Sequence, residues 1–272
     1  MEPLRKIPAI IFVGLTILAT TGFHTCVSVK KTKATQNFHT CADMKKQETV
    51  VLLHGLARSG KAMNKMEKLL KAEGYTLINH SYPSTSATIE NLTTNIFQAL
   101  EGQITNAPTV HFVTHSMGGI ILRTHLQNHK LPNLGRVVML APPSQGSEIP
   151  DKLKNFKPFQ WVNGPAGNQL GTGTNSHPLR LKAPAFELGI IAGDRTINPI
   201  LSMLIPGPDD GKVALARVKP KTYTDYLQLH VTHPCMVWNK EVIAQTKHFL
   251  EYGSFNKRTA DILSAQQEVS HD

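Results

Sequence analysis

Residues His111 to Ile120 read HFVTHSMGGI, and the rest of the chain is interpreted outward from this stretch. Thr109 to Thr114 (TVHFVT) has the β-branched and aromatic content of a buried strand. Gly118 and Gly119 then open a segment carrying Ile120, Ile121, Leu122 and Leu126, which reads as a helix over residues 118–128. The order is strand, sharp turn, helix, with Ser116 at the turn. A serine hydroxyl is a poor nucleophile without an adjacent base. At such a corner its oxygen is lifted clear of the sheet, and the amides at the helix start point to where negative charge would develop. The same letters also allow a bland reading, in which Ser116 only caps a helix.

Upstream, Thr49 to Leu53 (TVVLL) reads as a buried parallel strand ending in His54-Gly55. Met63, Met66, Leu69 and Leu70 mark a helix over residues 61–73, with Gly74 as its stop. Residues 75–79 (YTLIN) form a second strand, and Ile89, Leu92, Ile96 and Leu100 a second amphipathic helix. Downstream, Pro132 and Gly135 precede a fourth strand over 136–140 (RVVML); strands follow at 186–192 and 226–231, and a last helix spans 240–250. Alternating strands and helices require a mostly parallel six-stranded sheet with helices on both faces. Residues 146–185 break the rhythm with Gly, Pro, Asn and Lys. So long an irregular stretch points to a functional loop. Residues 147–185 are expected to form a cap with an apolar pocket beneath Trp161 and nearby phenylalanines, a plain surface excursion being the alternative.

THSMGG resembles the G-x-S-x-G elbow of the α/β-hydrolases, with Thr114 where the first glycine usually stands. The likeness covers residues 49–252. Ser81-Tyr82-Pro83-Ser84 and Ala141-Pro142-Pro143-Ser144-Gln145-Gly146-Ser147 are similar to segments of bacterial triacylglycerol-lipase-like lipases and esterases. The resemblance implies an α/β-hydrolase fold of minimal size. It also implies an oxyanion hole from the amides of Leu56 and Met117, the first after His54-Gly55 and the second after the nucleophile. In that fold the base follows the last strand, where His233 stands; His230 falls inside the strand pattern. The acid is Asp210, whose Asp210-Gly-Lys-Val213 resembles the lipase acid loop, or Asp194 directly after the fifth strand, or Asp209. His54 and His115 read as structural. The implied activity is hydrolysis of carboxylic esters through an acyl-enzyme on Ser116, acting on a small-molecule or lipid ester. An acyltransferase using the same residues, or a silent envelope-tethered binding protein, are the alternatives.

With 272 residues, 40% hydrophobic and 18% charged, the composition is that of a globular chain. The net charge is +10, but no nucleic-acid motif accompanies it, and no cofactor or metal-ligand pattern occurs. Arg5 and Lys6 precede an uncharged run over residues 7–23, so residues 1–25 read as a signal peptide or an N-terminal membrane anchor. Residues 26–48, with Lys30, Lys31 and Lys33, read as a basic stem, and 253–272 as a polar tail. The expected location is outside the cytoplasm: periplasmic, secreted or anchored in the envelope. Cys26 sits where lipidation could occur, although Phe23-His24-Thr25 suits it poorly. With Cys41 and Cys235 it leaves pairing open among three cysteines.

Overall fold

The computed structural model describes residues 47–257; the leader, the stem with Cys26 and Cys41, and the tail beyond Lys257 lie outside the described residues. Six strands form one sheet: β1 (Glu48–Leu53), β2 (Thr76–His80), β3 (Thr109–His115), β4 (Leu134–Leu140), β5 (Leu188–Gly193) and β6 (Asp225–Leu229). All neighbours are parallel, in the order β2-β1-β3-β4-β5-β6. The chain steps outward from β1 to β2, then returns to the other side of β1 as β3. Strand order therefore reverses between β1 and β3, and open parallel sheets bind ligands in the crevice beyond the carboxyl ends of strands at such a point. The pairing of Leu53 with Thr114 brings His54-Gly55 and Ser116 to that crevice together.

Alternation along the strands builds two cores. Val51 and Leu53 of β1 face one, with Val110 and Phe112 of β3. Val50 and Leu52 face the other, with Val113. The first core is closed by α2 (Ile89–Thr105) and α3 (Met117–Leu126); the second by α1 (Asn64–Ala72) and α9 (Lys240–Tyr252). Each fully buried Val, Leu or Phe contributes about 1.5–3 kcal/mol of transfer free energy, so the sheet's stability is concentrated in its central strands. Capping sets the helix starts: the Thr88 hydroxyl accepts from the Asn91 amide, and the Asn239 side chain from those of Glu241 and Val242.

Three expectations need correction. The helix expected over 61–73 starts as a 3-10 turn, Gly60–Met63, and becomes α-helical only at Asn64. The last strand stops at Leu229, so His230 lies past its end. The stretch read as irregular holds three short helices, α4 (Glu148–Leu153), α5 (Lys157–Asn168) and α6 (His177–Arg180). Their apolar spacing is broken by Pro165 and by Gly164, whose φ of 61° kinks α5, which hides the helical period. Two further short helices, α7 (Pro199–Ser202) and α8 (Leu215–Val218), flank the segment before β6.

The corner between β3 and α3 tolerates no added volume. A Cβ on Gly118 would come within 2.5 Å of the Leu53 carbonyl oxygen and 2.9 Å of that of His54. Gly118→Ala is therefore expected to lower the unfolding free energy by about 1–3 kcal/mol in urea denaturation. Gly102, exposed within α2, has open space around it; Gly102→Ala should instead stabilise by about 0.5–1 kcal/mol.

Candidate active site

Ser116 sits between β3 and α3 with φ 52° and ψ −122°. A non-glycine residue held there costs on the order of 1–3 kcal/mol, and such strain persists only where surrounding structure enforces it. The enforcement is visible. The Ser116 amide donates to the Leu140 carbonyl at 2.8 Å, and its own carbonyl accepts from the Gly119 amide at 3.0 Å. Around it, Thr114, His115 and Met117 are buried while Ser116 is only half-buried. Thr114 fits in place of the usual glycine because Gly119 faces it: a Cβ on Gly119 would meet the Thr114 hydroxyl at 3.2 Å.

His233 begins a 3-10 turn, His233–Cys235, after β6. Its amide donates to the Asp210 carbonyl at 2.8 Å, and its Nδ1 lies 2.7 Å from Asp210 Oδ2. The other carboxylate oxygen of Asp210 accepts the amides of Lys212 at 3.0 Å and Val213 at 2.9 Å. A carboxylate with both oxygens occupied and almost no exposure is held in one orientation. Asp194 is elsewhere engaged, accepting from Gln228 at 2.7 Å and pairing with exposed His230 at 2.9 Å. Asp209 is occupied by the Ser202 hydroxyl and the Gly211 amide.

The other two histidines have scaffolding contacts. His115 Nε2 is 3.1 Å from the His233 carbonyl, and the two rings are 4.7 Å apart. Burial, then the charge of His233, push the His115 pKa well down. It stays neutral and supports the backbone of its neighbour. His54 stacks on Tyr82 at 4.0 Å and its Nε2 accepts the Tyr82 amide at 3.1 Å, while the Tyr82 hydroxyl donates to the His54 carbonyl. Tyr82 thus clamps the turn that leads to Leu56. The Ser81-Tyr82-Pro83-Ser84 motif carries no local sign of this role, since only the fold brings residues 54 and 82 together.

Ser116, His115 and His233 share one cavity of about 260 Å³ with Gly55 and Leu56. Its apolar lining includes Ile149, Leu153, Phe159 and Val162, from residues 147–185, and Leu201. The expectation about Trp161 is corrected: it is 90% exposed, and Phe156 is 56% exposed. On α5 the residues one helical turn apart, Phe159 and Val162, reach the cavity, while Trp161 lies on the opposite face. Among the described residues no His, Cys, Asp or Glu group forms a metal set, and no helix is long and apolar enough to cross a membrane. Cys235 has no disulfide partner among them.

The cap is pinned to the body through Glu90 at the start of α2. His177 Nδ1 is 3.0 Å from Glu90 Oε1, its Nε2 is 2.7 Å from the Thr124 hydroxyl, and Gln169 donates to Glu90 Oε2 at 2.7 Å. Burial would raise the Glu90 pKa, but the Gln169 hydrogen bond and the His177 charge overcome it, lowering the carboxyl from 4.5 to about 2. A carboxyl held down in the folded state stabilises above its unfolded pKa and loses that contribution as pH falls through the folded value. Thermal melts should show Glu90→Gln less stable than wild type at pH 6. Half exposure limits the gap to about 1 kcal/mol or less. The gap should shrink between pH 4.5 and about 2.

The sequence model of the palmitoyl protein thioesterase family matches residues 49–258. No curated protein matches the chain. The mature form of the Bacillus licheniformis lipase BlEst2 superposes with a TM-score of 0.54 at 21% identity, covering 74% of this chain and 91% of that one. Phospholipase PlaB from Legionella pneumophila gives 0.58 at 14% identity, over 82% of this chain and 64% of its own. A metagenomic carboxyl esterase gives 0.55 at 15%, over 70% and 66%. At these identities the likeness is one of fold, the α/β-hydrolase fold.

Proposed function

Because this chain belongs to the palmitoyl protein thioesterase family, within the hydrolases of α/β fold, we propose that it is a serine hydrolase cleaving fatty acyl carboxylic esters through an acyl-enzyme on Ser116. The observation that carries this reading is the Asp210–His233 hydrogen bond of 2.7 Å, with His233 lining the same cavity as the strained Ser116.

The chemistry follows from the contacts. His233 Nε2 takes the Ser116 proton as Oγ attacks the acyl carbonyl. Asp210 holds the ring through Nδ1 and stabilises its charged form. The amides of Leu56 and Met117 receive the oxyanion, Met117 from the first turn of α3. The tetrahedral adduct collapses, the leaving group departs with the proton from His233, and a water activated by the same imidazole releases the acid. Ile149, Phe159 and Leu201 line the route for an acyl chain. The family match also favours a second reading, thioesters as substrates, because the sulfur leaving group needs no different machinery.

A fluorophosphonate probe is expected to label the wild-type chain and not Ser116→Ala; equal labelling of both would refute the assignment. Asp210→Asn should lower kcat by about 10⁴-fold, whereas Asp194→Asn should leave it within a few-fold, measured on p-nitrophenyl esters. Matched oxygen esters and thioesters of one chain length decide the leaving group: a kcat/KM favouring the thioester by more than tenfold would transfer the proposal to the second reading.

A further inference from the structure

Two cations, Arg58 and Lys212, share the wall of the Ser116 cavity with its apolar lining. Arg58 follows the His54-Gly55 turn, and Lys212 lies in the tight loop that carries Asp210. Both residues are exposed at the rim. They are close enough to sense each other: Lys212 is exposed overall, yet desolvation, then the charge of Arg58, lower its pKa, with Asp210 opposing. Among the described residues neither forms an ion pair with a carboxylate. The acids of the same loop are committed, Asp210 to His233 and two amides, Asp209 to Ser202 and Gly211. Glu148 at the start of α4 is held by Arg217.

Two like charges on the lining of one cavity repel each other. A neutral acyl chain needs neither of them. An anion between them would relieve the repulsion and gain charge-assisted hydrogen bonds, with the guanidinium fork suited to phosphate oxygens. The cations line the same cavity as the nucleophile, so an anion held by them lies within the substrate's own cavity. We propose that Arg58 and Lys212 form an anion subsite for the leaving group, selecting acyl esters whose alcohol carries a phosphate near the acyl carbonyl. The inference rests on the serine-hydrolase reading above and adds the substrate class. The two cations bind the phosphorylated alcohol, His233 supplies the proton with which it leaves, and water completes the acid.

The experiment compares 1-hexanoylglycerol 3-phosphate with 1-hexanoylglycerol, both as monomers, using the full chain. In wild type the kcat/KM ratio should favour the phosphorylated ester by about tenfold or more. Arg58→Gln and Lys212→Gln should each reduce the ratio, and the double variant should bring it near one. Arg58→Lys should keep most of it, which separates loss of charge from loss of folding. Inorganic phosphate should compete with the neutral ester in wild type and lose that effect in the double variant. A second arm presents the phosphate on a phospholipid in vesicles. Selectivity among monomers assigns a soluble phosphate ester, and selectivity confined to vesicles assigns a lipid headgroup. A wild-type ratio near one in both arms, or an unchanged ratio in the double variant, overturns the subsite. A wild-type chain inert towards both esters and unlabelled by fluorophosphonate fails the hydrolase reading instead.

Discussion

The structure depends on one backbone conformation, the positive φ of Ser116. A serine rests there only because its neighbours leave no alternative. Its amide is tied to the Leu140 carbonyl on β4. The helix that follows is pressed so close to the end of β1 that its second residue has no room for a side chain. These constraints come from two different strands. The parallel pairing of β1, β3 and β4 therefore has to be complete before the corner can exist. Strain at the hydroxyl is sustained by hydrophobic burial in the sheet, several kcal/mol against a cost of about 1–3.

Around that corner the polar groups form a nested support. Asp210 has each oxygen satisfied, His233 is bonded through both its amide and its ring, and a neutral His115 props the carbonyl of His233. The neutrality of His115 matters. A second imidazolium with its ring 4.7 Å away would repel positive charge at the His233 ring. Burial keeps that competitor uncharged. On the other side of the crevice, Tyr82 immobilises the turn after β1 by stacking and hydrogen bonding to His54.

The cap adds the apolar half of the site. Helices α4, α5 and α7 pack through Ile149, Leu153, Phe159, Leu201 and Ile205 into a small core of their own, and that core also faces the cavity. Its attachment to the body combines the polar knot of Glu90, Gln169 and His177 with Ala166, Leu170 and Leu181, which are buried in the first core. The polar part of that attachment is sensitive to proton concentration, and the buried apolar part is not.

Much of this was legible beforehand. The strand-turn-helix at Ser116, the six strands and the α2 and α9 faces are written in short-range periodicity, because alternation and 3.6-residue spacing are local properties of a chain. The cap helices were not legible, since Pro165 and Gly164 erase the period that would reveal them. The partner of His233 was legible only as a resemblance, with Asp210 ahead of Asp194 and Asp209, and the folded chain brings Asp210 within 2.7 Å of the ring. By itself the sequence determined the sheet and the corner at Ser116. The tertiary structure alone decided which acid meets the imidazole, that Tyr82 clamps His54, and that Arg58 and Lys212 border one cavity. Those contacts join residues far apart along the chain, and packing rather than local pattern sets their distances.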